Sequence, residues 1–288
     1  MQIQTMSIVV GTTACNAKCP FCIAKTTPEI DCKTEINWRN FEIACKLADK
    51  SGATTALMTG KGEPTLFPEE IGAYLDAMNR NNCFPIRELQ TNGIALAKEG
   101  STNKYLKYWH DDGLTTICLS AVHYMQAMNK EIYGPRYPDI KDLVAKLRDF
   151  GYTVRLSIML LKGHIDTKTD LRMLIDYCRD YNIKQLTIRP ITSPSLDGFH
   201  GDLDTYNWIQ DNKISDQKWQ EIKEHVSSHG NSVLKLAHGA EIFDYEGQNV
   251  CLTNCITTNE SSEKMRQIIF HPDGTIGYDW KFKGSVLL

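Results

Sequence analysis

Between residues 8 and 22 the chain runs Ile8-Val9-Val10-Gly11-Thr12-Thr13-Ala14-Cys15-Asn16-Ala17-Lys18-Cys19-Pro20-Phe21-Cys22. A short apolar strand is followed directly by a loop that carries three cysteines. Three thiolates on one tight loop can hold three corners of a four-iron cluster and leave the fourth iron open to a small molecule. A structural zinc site is the alternative, but zinc usually takes four ligands in two pairs. No second closely spaced pair of cysteines lies nearby, so the cluster is the favoured interpretation.

Strand and helix patterns alternate along the first two thirds of the chain. The predicted strands are residues 3–10, 55–58, 86–90, 116–120, 153–160 and 185–189. The predicted helices are residues 38–51, 68–81, 98–112, 140–150 and 169–181. Six repeats of this kind indicate a parallel sheet with right-handed crossovers, and six are too few for a full eight-stranded barrel. The predicted fold class is therefore α/β, a partial (β/α)6 TIM-like barrel with a C-terminal β-hairpin extension.

Polar or glycine-rich segments follow each of the first four predicted strands. The cysteine loop follows the first strand, and the other three segments are Thr59-Gly60-Lys61-Gly62-Glu63-Pro64, Thr91-Asn92-Gly93 and Ser120. Ligand sites in parallel barrels gather at the C-terminal ends of the strands, because the loops converge there. The sequence therefore predicts that all four segments lie on one rim.

Two of these segments together resemble motifs of the radical S-adenosylmethionine (radical SAM) superfamily. The cysteines have a three-residue gap and then a two-residue gap, with an aromatic residue before the last one. The segment Gly60-Lys61-Gly62-Glu63-Pro64 resembles the superfamily's Gly-Gly-Glu-Pro motif, with Lys61 where the second glycine usually stands. The resemblance covers most of residues 1–190.

The resemblance implies that Cys15, Cys19 and Cys22 hold a [4Fe-4S] cluster whose open iron is chelated by the amino and carboxylate groups of S-adenosylmethionine. An electron from the cluster would cleave the cofactor to methionine and a 5′-deoxyadenosyl radical, which removes a hydrogen atom from the substrate. A protein such as flavodoxin or ferredoxin would donate the electron. The cofactor carries the difficult chemistry, and the protein supplies binding and orientation.

The resemblance also implies residues that hold the cofactor. Gly60, Gly62 and Glu63 are expected at its methionine amino end, because glycines let backbone carbonyls approach a ligand closely. A simple strand-to-helix turn is the structural alternative for this segment. The family often has a serine at the position of Ser120 that bonds the ribose or carboxylate, and Asn92 either joins it or only shapes a turn.

Arg155 alternates with apolar residues on the fifth predicted strand, as does Ser157, so both side chains should face the barrel interior. A buried arginine needs an anion. The cofactor carboxylate is one candidate, and a buried ion pair with a neighbouring acid is another. His123, Tyr124 and Arg189 are candidates for substrate contact, although surface or packing roles are the favoured interpretation for each.

The predicted domain organisation is a core, residues 1–190, followed by a lid-like loop, a helix and a hairpin, residues 191–288. Residues 191–211 are predicted to form a long loop that acts as a lid or substrate wall. Its aromatic and imidazole side chains would cover a ligand or pack against the barrel; they are Phe199, His200, Tyr206 and Trp208. A helix is predicted over residues 216–228.

The last part of the chain contains Cys251 and Cys255 and then a Pro272-Asp273-Gly274 turn between two apolar runs. Such a turn predicts a hairpin over residues 265–280. The layout resembles the tail of the molybdenum cofactor biosynthesis cyclase branch, where cysteines before and after the hairpin bind a second cluster. Here no cysteine follows the hairpin, so the two cysteines are expected to be buried thiols in a tail that closes the bottom or side of the barrel.

Composition narrows the classes of function. The 288 residues are 42% hydrophobic and 23% charged, with a formal net charge of −3. This balance predicts a folded protein without a strong signal for nucleic acid. No signal peptide or membrane-spanning run is recognised, so a soluble, cytoplasmic protein with reduced cysteines is expected.

The substrate is predicted to be a small molecule or a nucleotide. A radical SAM enzyme that modifies ribosomal peptides is the alternative, although no N-terminal peptide-recognition domain and no cysteine-rich tail are recognised. A non-catalytic, metal-stabilised binding module is a second alternative. An activating enzyme that places a radical on a partner protein is less favoured, because the chain lacks extra ferredoxin-like cysteines.

Overall fold

A computed structural model describes residues 2–27, 35–193, 201–236, 239–254, 264–282 and 284–288. The strands, in chain order, are β1 Gln2–Val9, β2 Thr55–Thr59, β3 Ile86–Thr91, β4 Thr116–Ala121, β5 Thr153–Leu160, β6 Gln185–Pro190, β7 Asn231–Lys235, β8 Glu241–Tyr245, β9 Gln248–Leu252, β10 Lys264–Phe270 and β11 Ile276–Gly277. The helices are α1 Trp38–Lys50, α2 Pro68–Arg80, α3 Ser101–Asp111, α4 Gln126–Tyr133, α5 Ile140–Asp149, α6 Lys168–Asp180, α7 Leu203–Asn212 and α8 Asp216–His229.

The eleven strands of the described residues form one sheet, in the order β11-β10-β1-β2-β3-β4-β5-β6-β9-β8-β7. Strands β1 to β6 are neighbours in sequence order, and each pairs in parallel with the next. This confirms the predicted α/β class and the six-stranded parallel core of a partial barrel, with a sheet that is not closed.

The helices cover one face of this sheet, because the apolar face of the strands packs against the apolar stripes of the helices. Alternate residues of β4 and β5 belong to the buried apolar core, as do four residues of α5: Ile117, Leu119, Ala121, Val154, Leu156, Ile158, Ile140, Leu143, Val144 and Leu147. Intervening strand residues face the opposite, concave side of the sheet. We call this side the interior face, and it carries the polar strand residues discussed below.

Most predicted boundaries of the core lie within one or two residues of the observed ones. The largest difference is the third helix, predicted from residue 98 and observed from Ser101. Gly100 explains the difference, because its φ of +89° is outside the helical region. Within the described ranges, every helix is too short or too polar to cross a lipid bilayer.

Two helices were not predicted. Helix α4 follows β4. Asn129 on this helix fixes the segment that connects the two elements: it accepts a hydrogen bond from the amide of Val122 and donates one to the carbonyl of His123. The predicted loop of residues 191–211 was wrong over residues 203–212, which form α7. The side chain of Asp202 caps that helix. Phe199 and His200 lie outside the described residues.

The tail contributes strands to both sides of the six-stranded core. Strand β10 pairs in parallel with β1, and β9 pairs in parallel with β6. The predicted hairpin is confirmed, because β10 and β11 are antiparallel and Gly274 between them has a φ of +95°. The division of the chain at residue 190 stays a prediction, although these pairings join the two parts within one sheet.

Candidate active site

The cysteine loop lies at the C-terminal edge of β1, as predicted. Cys15 is exposed, and Cys19 and Cys22 are partly buried. The pKa of Cys19 is raised to about 12, mainly by burial and in smaller part by the nearby charges of Cys22 and Cys15. Burial also raises the pKa of Cys15, and the charges of Glu63 and Cys22 add to this rise. Cys22 and Cys15 therefore lie close enough to Cys19 to affect its ionisation.

This set of donors fits an iron–sulfur cluster better than a single metal ion. No group of three or more His, Cys, Asp or Glu side chains among the described residues has the close geometry of a single-ion site. Cysteine thiolates are the usual ligands of iron–sulfur clusters, so three cysteines on one loop are a donor set of the kind that a cluster takes. A cationic centre would also offset the raised thiol pKa values, because metal binding deprotonates cysteine.

Close backbone contacts fix the cysteine loop against the loop after β2. The amide of Glu63 donates to the carbonyl oxygen of Ala14 at 2.9 Å. A Cβ atom on Gly62 would lie 2.1 Å from that same oxygen and 2.7 Å from the carbonyl oxygen of Thr12. Only glycine allows this approach. The two sequence motifs therefore contact each other through their backbones.

The loop after β3 supports the cysteine loop from another side. The Nδ2 of Asn92 donates to the Oδ1 of Asn16 at 2.7 Å and lies 3.9 Å from the Sγ of Cys15. The Oδ1 of Asn92 accepts from the amide of Ile94, which shapes the turn. Both roles left open for Asn92, a turn former and a residue of the site, thus fit its position.

The two unpredicted helices also contact the cysteine loop. The amide of Lys18 donates to the carbonyl of Tyr133 at the end of α4, at 3.2 Å. The ring of Phe21 lies between Tyr133 and Trp208 of α7, with centroid distances of 6.3 and 5.8 Å. Trp208 therefore packs against the barrel core and the cysteine loop. The sequence signal for α4 is weak, because only Asn129 and Tyr133 are buried along it and Asn129 is polar.

Glu63 is a buried carboxylate that joins two loops of the rim. Its Oε1 accepts from the amide of Thr65 and from the hydroxyls of Thr65 and Thr91, at 3.1, 2.6 and 2.5 Å. Its Oε2 accepts from the amide of Asn92 at 2.9 Å. Burial raises the pKa of Glu63, and these hydrogen bonds oppose that rise. The geometry thus supports loop orientation as the role of this side chain.

Lys61, which departs from the family motif, is buried. Its ammonium group contacts the hydroxyl of Thr27, just after the cysteine loop, and lies 5.8 Å from the ring centroid of Trp280 in the tail. Lys61 therefore connects three segments: the glycine loop, the end of the cysteine loop and the tail.

The interior face carries matched polar residues on neighbouring strands. Ser120 of β4 is the register partner of Ser157 of β5, and Cys118 is the partner of Arg155. Arg155 pairs with Glu88 of β3, so the ion pair with a neighbouring acid that the sequence left open is present. Burial alone would lower the pKa of Arg155, but Cys118 and Glu88 raise it above its usual value. The expected role of Arg155 and Ser120 toward the cofactor stays a prediction.

His123 and Tyr124 follow β4 at the rim. The Nδ1 of His123 accepts from the amide of Met125 at 2.9 Å, and its ring lies 4.3 Å from that of Tyr124. Burial lowers the pKa of His123, as does the nearby His164. These contacts agree with the packing role favoured from the sequence.

Cys251 is a partly buried residue of β9 and is the register partner of Thr187 on β6. Burial raises its pKa. Cys255 lies outside the described residues. Whether these two cysteines bind a second cluster, or are thiols as expected, stays a prediction.

Known proteins resemble this chain in sequence pattern and in fold. A family model described as the radical SAM superfamily matches residues 9–178. No curated protein matches the chain at a significant level. SuiB of Streptococcus suis bound to its precursor peptide SuiA has a TM-score of 0.63 at 17% identity, over 96% of this chain and 59% of SuiB.

Two further solved structures share the fold. The structure of anSMEcpe with bound AdoMet has a TM-score of 0.56 at 14% identity, over 99% of this chain and 77% of that one. Methylornithine synthase (PylB) has a TM-score of 0.52 at 14% identity, over 78% of this chain and 62% of that one. The chain spans about three fifths of the length of SuiB.

Proposed function

Because the chain belongs to the radical SAM superfamily, we propose that it is an enzyme that abstracts a hydrogen atom from a small-molecule or nucleotide substrate. The superfamily consists of enzymes that use a [4Fe-4S] cluster and S-adenosylmethionine. When bound, this cofactor pair supplies a 5′-deoxyadenosyl radical by reductive cleavage. The residues of the chain bind the cofactors, orient them and exclude competing reactions.

The proposed assignment of residues follows the rim of the sheet. Cys15, Cys19 and Cys22 ligate the cluster. Gly60 and Gly62 hold the methionine amino end of the cofactor, and Glu63 holds their loop in place. Ser120, Arg155 and Asn92 hold the carboxylate or ribose.

The observation that carries this proposal is the backbone contact between the two motifs. The carbonyl of Ala14 accepts from the amide of Glu63, and Gly62 leaves no room there for a side chain. An amino group bound by the glycine loop would therefore be held beside the cysteine loop. Such fixed placement is the protein's main contribution when a cofactor carries the chemistry.

The peptide-modifying alternative has one specific observation in its favour, the fold likeness to SuiB bound to a precursor peptide. That likeness makes a peptide worth testing beside small molecules. The finer placement near the molybdenum cofactor biosynthesis cyclase draws no support from these comparisons. An external electron donor such as flavodoxin or ferredoxin remains part of the proposal, and dithionite replaces it in the experiment below.

Anaerobic reconstitution with iron and sulfide, followed by dithionite and S-adenosylmethionine, tests the proposal. We expect 5′-deoxyadenosine from the wild-type protein and none from Cys19→Ala. Cys251→Ala, which changes a partly buried thiol outside the loop, should keep product formation. Circular dichroism of the metal-free variants checks that each still folds.

The non-catalytic alternative gives a different result in the same samples. A metal-stabilised binding module would bind zinc, lack the broad absorbance of a cluster and leave S-adenosylmethionine intact. Iron analysis and product analysis of one preparation therefore separate the two functions.

A further inference from the structure

We propose that Arg189 forms a binding site for an oxyanion of the substrate, a carboxylate or a phosphate, on the interior face of the sheet. The inference rests on the proposed function and narrows its substrate class. It is carried by the position of Arg189 on β6, by its lack of a carboxylate partner among the described residues, and by its shielded Nε, which has no hydrogen-bond partner.

Arg189 lies on the interior face near the C-terminal end of β6. Leu186 and Ile188 of the same strand are fully buried in the core on the helix side, so the alternation of the strand turns Arg189 the other way. Its register partner on β5 is Met159, two residues beyond Ser157 toward the rim. The side chain therefore lies in the upper part of the barrel, where ligands bind in parallel barrels.

The charge of Arg189 acts on two groups that are themselves neutral, Cys118 and Tyr133. Its charge lowers the pKa of Cys118 and of Tyr133, but burial is the first cause in both cases and raises both pKa values overall. The thiol and the phenol are therefore uncharged at neutral pH. No described carboxylate lies within ion-pair distance of Arg189, whereas Arg155 has Glu88.

The Nε of Arg189 is shielded from solvent and has no hydrogen-bond partner. Shielded nitrogen donors without partners are rare in folded proteins and call for an explanation. A charged donor without a partner is also costly, because desolvation is not compensated. An oxyanion would satisfy this donor, and the planar guanidinium can bind a carboxylate or phosphate through two parallel hydrogen bonds.

The backbone position of Arg189 is offset from that of Arg155, the residue assigned to the cofactor carboxylate. Arg155 is the register partner of Gln185, four residues before Arg189 on β6. Four residues of a parallel strand span about 13 Å. The charges of both arginines reach Cys118, and the charge of Arg189 also reaches Tyr133, whose pKa is affected by Cys19 and Cys22 as well. A substrate anion at Arg189 would thus place the rest of the substrate between the barrel wall and the cysteine loop.

Anion binding to the metal-free protein tests the site without any need for activity. The Nε–Hε signal of Arg189 is assigned in a ¹⁵N NMR spectrum by its loss in Arg189→Lys. Inorganic phosphate, acetate and chloride are then titrated at matched ionic strength. We expect a saturable shift with phosphate or acetate and none with chloride; whichever of the two binds more tightly identifies the substrate group.

Variants make the assignment specific. Arg189→Met should weaken phosphate or acetate affinity at least about tenfold, because a hydrogen bond to a charged group is lost. Arg189→Lys keeps the charge but lacks the planar guanidinium. Its affinity for the anion should lie between those of the wild type and Arg189→Met. Arg148→Met, an exposed arginine of α5, is the matched control and should bind as wild type. Equal shifts with chloride, or unchanged affinity in Arg189→Met, would overturn the proposal.

Binding of S-adenosylmethionine to the reconstituted protein separates substrate from cofactor. We expect its affinity in Arg189→Met to stay within about twofold of wild type. A loss of tenfold or more would mean that Arg189 holds the cofactor carboxylate, which overturns the inference and leaves the proposed function standing. Absence of 5′-deoxyadenosine from wild type would instead reject the proposed function, while the phosphate and acetate titrations still report on the anion site.

Discussion

Glu63 shows how one buried side chain can position two loops at once. Its carboxylate accepts two hydrogen bonds from Thr65, which follows β2, and two from Thr91 and Asn92, at the end of β3. Both carboxylate oxygens are therefore used within the protein. An amide at this position would put donors where the loops already supply donors.

We expect Glu63→Gln to lower the free energy of unfolding by about 1–3 kcal/mol, because at least one buried donor loses its acceptor. The affinity for S-adenosylmethionine should fall as well, since the glycine loop loses its anchor. Urea unfolding of the metal-free protein and a binding titration of the reconstituted protein measure the two effects. Glu42→Gln on α1 is the control: Glu42 is exposed, and its substitution should change the free energy of unfolding by no more than about 0.5 kcal/mol. Equal stability of the two variants would contradict the anchoring role.

His271 gives the protein a pH-dependent stability on the acid side. Its pKa is lowered to about 4, mainly by burial; Asp273 opposes this shift, and the nearby Lys61 makes a smaller contribution in the same direction as burial. Its Nδ1 is buried without a hydrogen-bond partner. The unfolded chain binds a proton at about pH 6.5, so the neutral folded form is fully favoured above that pH. Stability is then lost as the pH falls from 6.5 toward 4.

His271→Gln should therefore reduce the loss of unfolding free energy between pH 7 and pH 4 by about 2–3 kcal/mol. Denaturant unfolding of the metal-free proteins at a series of pH values measures this difference. Above pH 7 the variant and the wild type should differ by a constant amount, which reports packing alone. Parallel curves over the whole range would show that His271 does not titrate as stated.

At the scale of elements, the cysteine loop is held by four neighbouring segments. The glycine loop after β2 and the Asn92 turn after β3 contact it directly. Helix α4 contacts it through the carbonyl of Tyr133, and α7 through Trp208. A loop that lacks regular structure is thus given a fixed conformation by its surroundings, as ligation of a cluster requires.

Gly62→Ala tests the tightest of these contacts. The added methyl group would meet the carbonyl oxygens of Ala14 and Thr12, so the loops must separate. We expect a loss of about 1–3 kcal/mol in unfolding free energy and a lower iron content after reconstitution. Gly284→Ala is the matched control, because no atom lies within 4 Å of its added Cβ. Iron content in Gly62→Ala equal to that of the control would refute the role given to this contact.

The core elements were predictable because their signals are local. Alternating strands and apolar helix stripes are set by residues a few positions apart, as in α5. Helix α7 was missed because only Thr205 and Ile209 are buried along it, which leaves little apolar periodicity. The sequence did not predict which acid pairs with Arg155 for a different reason. Glu88 can be identified as the partner only when the register of strands β3, β4 and β5 is known.

The difference between local and long-range signals also explains which parts of the candidate site were predicted. The convergence of the cysteine, glycine and Asn92 loops on one rim follows from the parallel sheet alone. The contacts of Tyr133 and Trp208 with the cysteine loop depend on helices that the sequence pattern did not indicate. The pairing of β10 with β1 depends on residues about 260 positions apart, such as Ser7 and Gln267.

At the scale of the whole molecule, the tail completes the core on both sides. Strand β10 covers the outer edge of β1, and β9 covers the outer edge of β6. Uncovered edges of a sheet pair readily with other chains. We therefore propose that residues 191–288 act as an extension that the core requires, and not as a separately folding unit.

A chain that ends at residue 193 should fail to give a soluble monomer, because two strand edges and the apolar surface beneath α8 are exposed together. Size-exclusion chromatography and circular dichroism of the truncated and full-length proteins measure the outcome. A truncated protein that elutes as a monomer with native-like helix and strand content would show that the core is independent of the tail.

The pairing of β1 with β10 also bears on how the protein is made in the cell. The hydroxyl of Thr5 bonds the carbonyl of Arg266, 261 residues away. At translation rates of about 5–20 residues per second, the nascent first strand waits roughly 13–50 s for this neighbour to be synthesised. Strand β1 is thus synthesised long before its neighbour β10, and for that interval its edge stays unpaired and prone to aggregation.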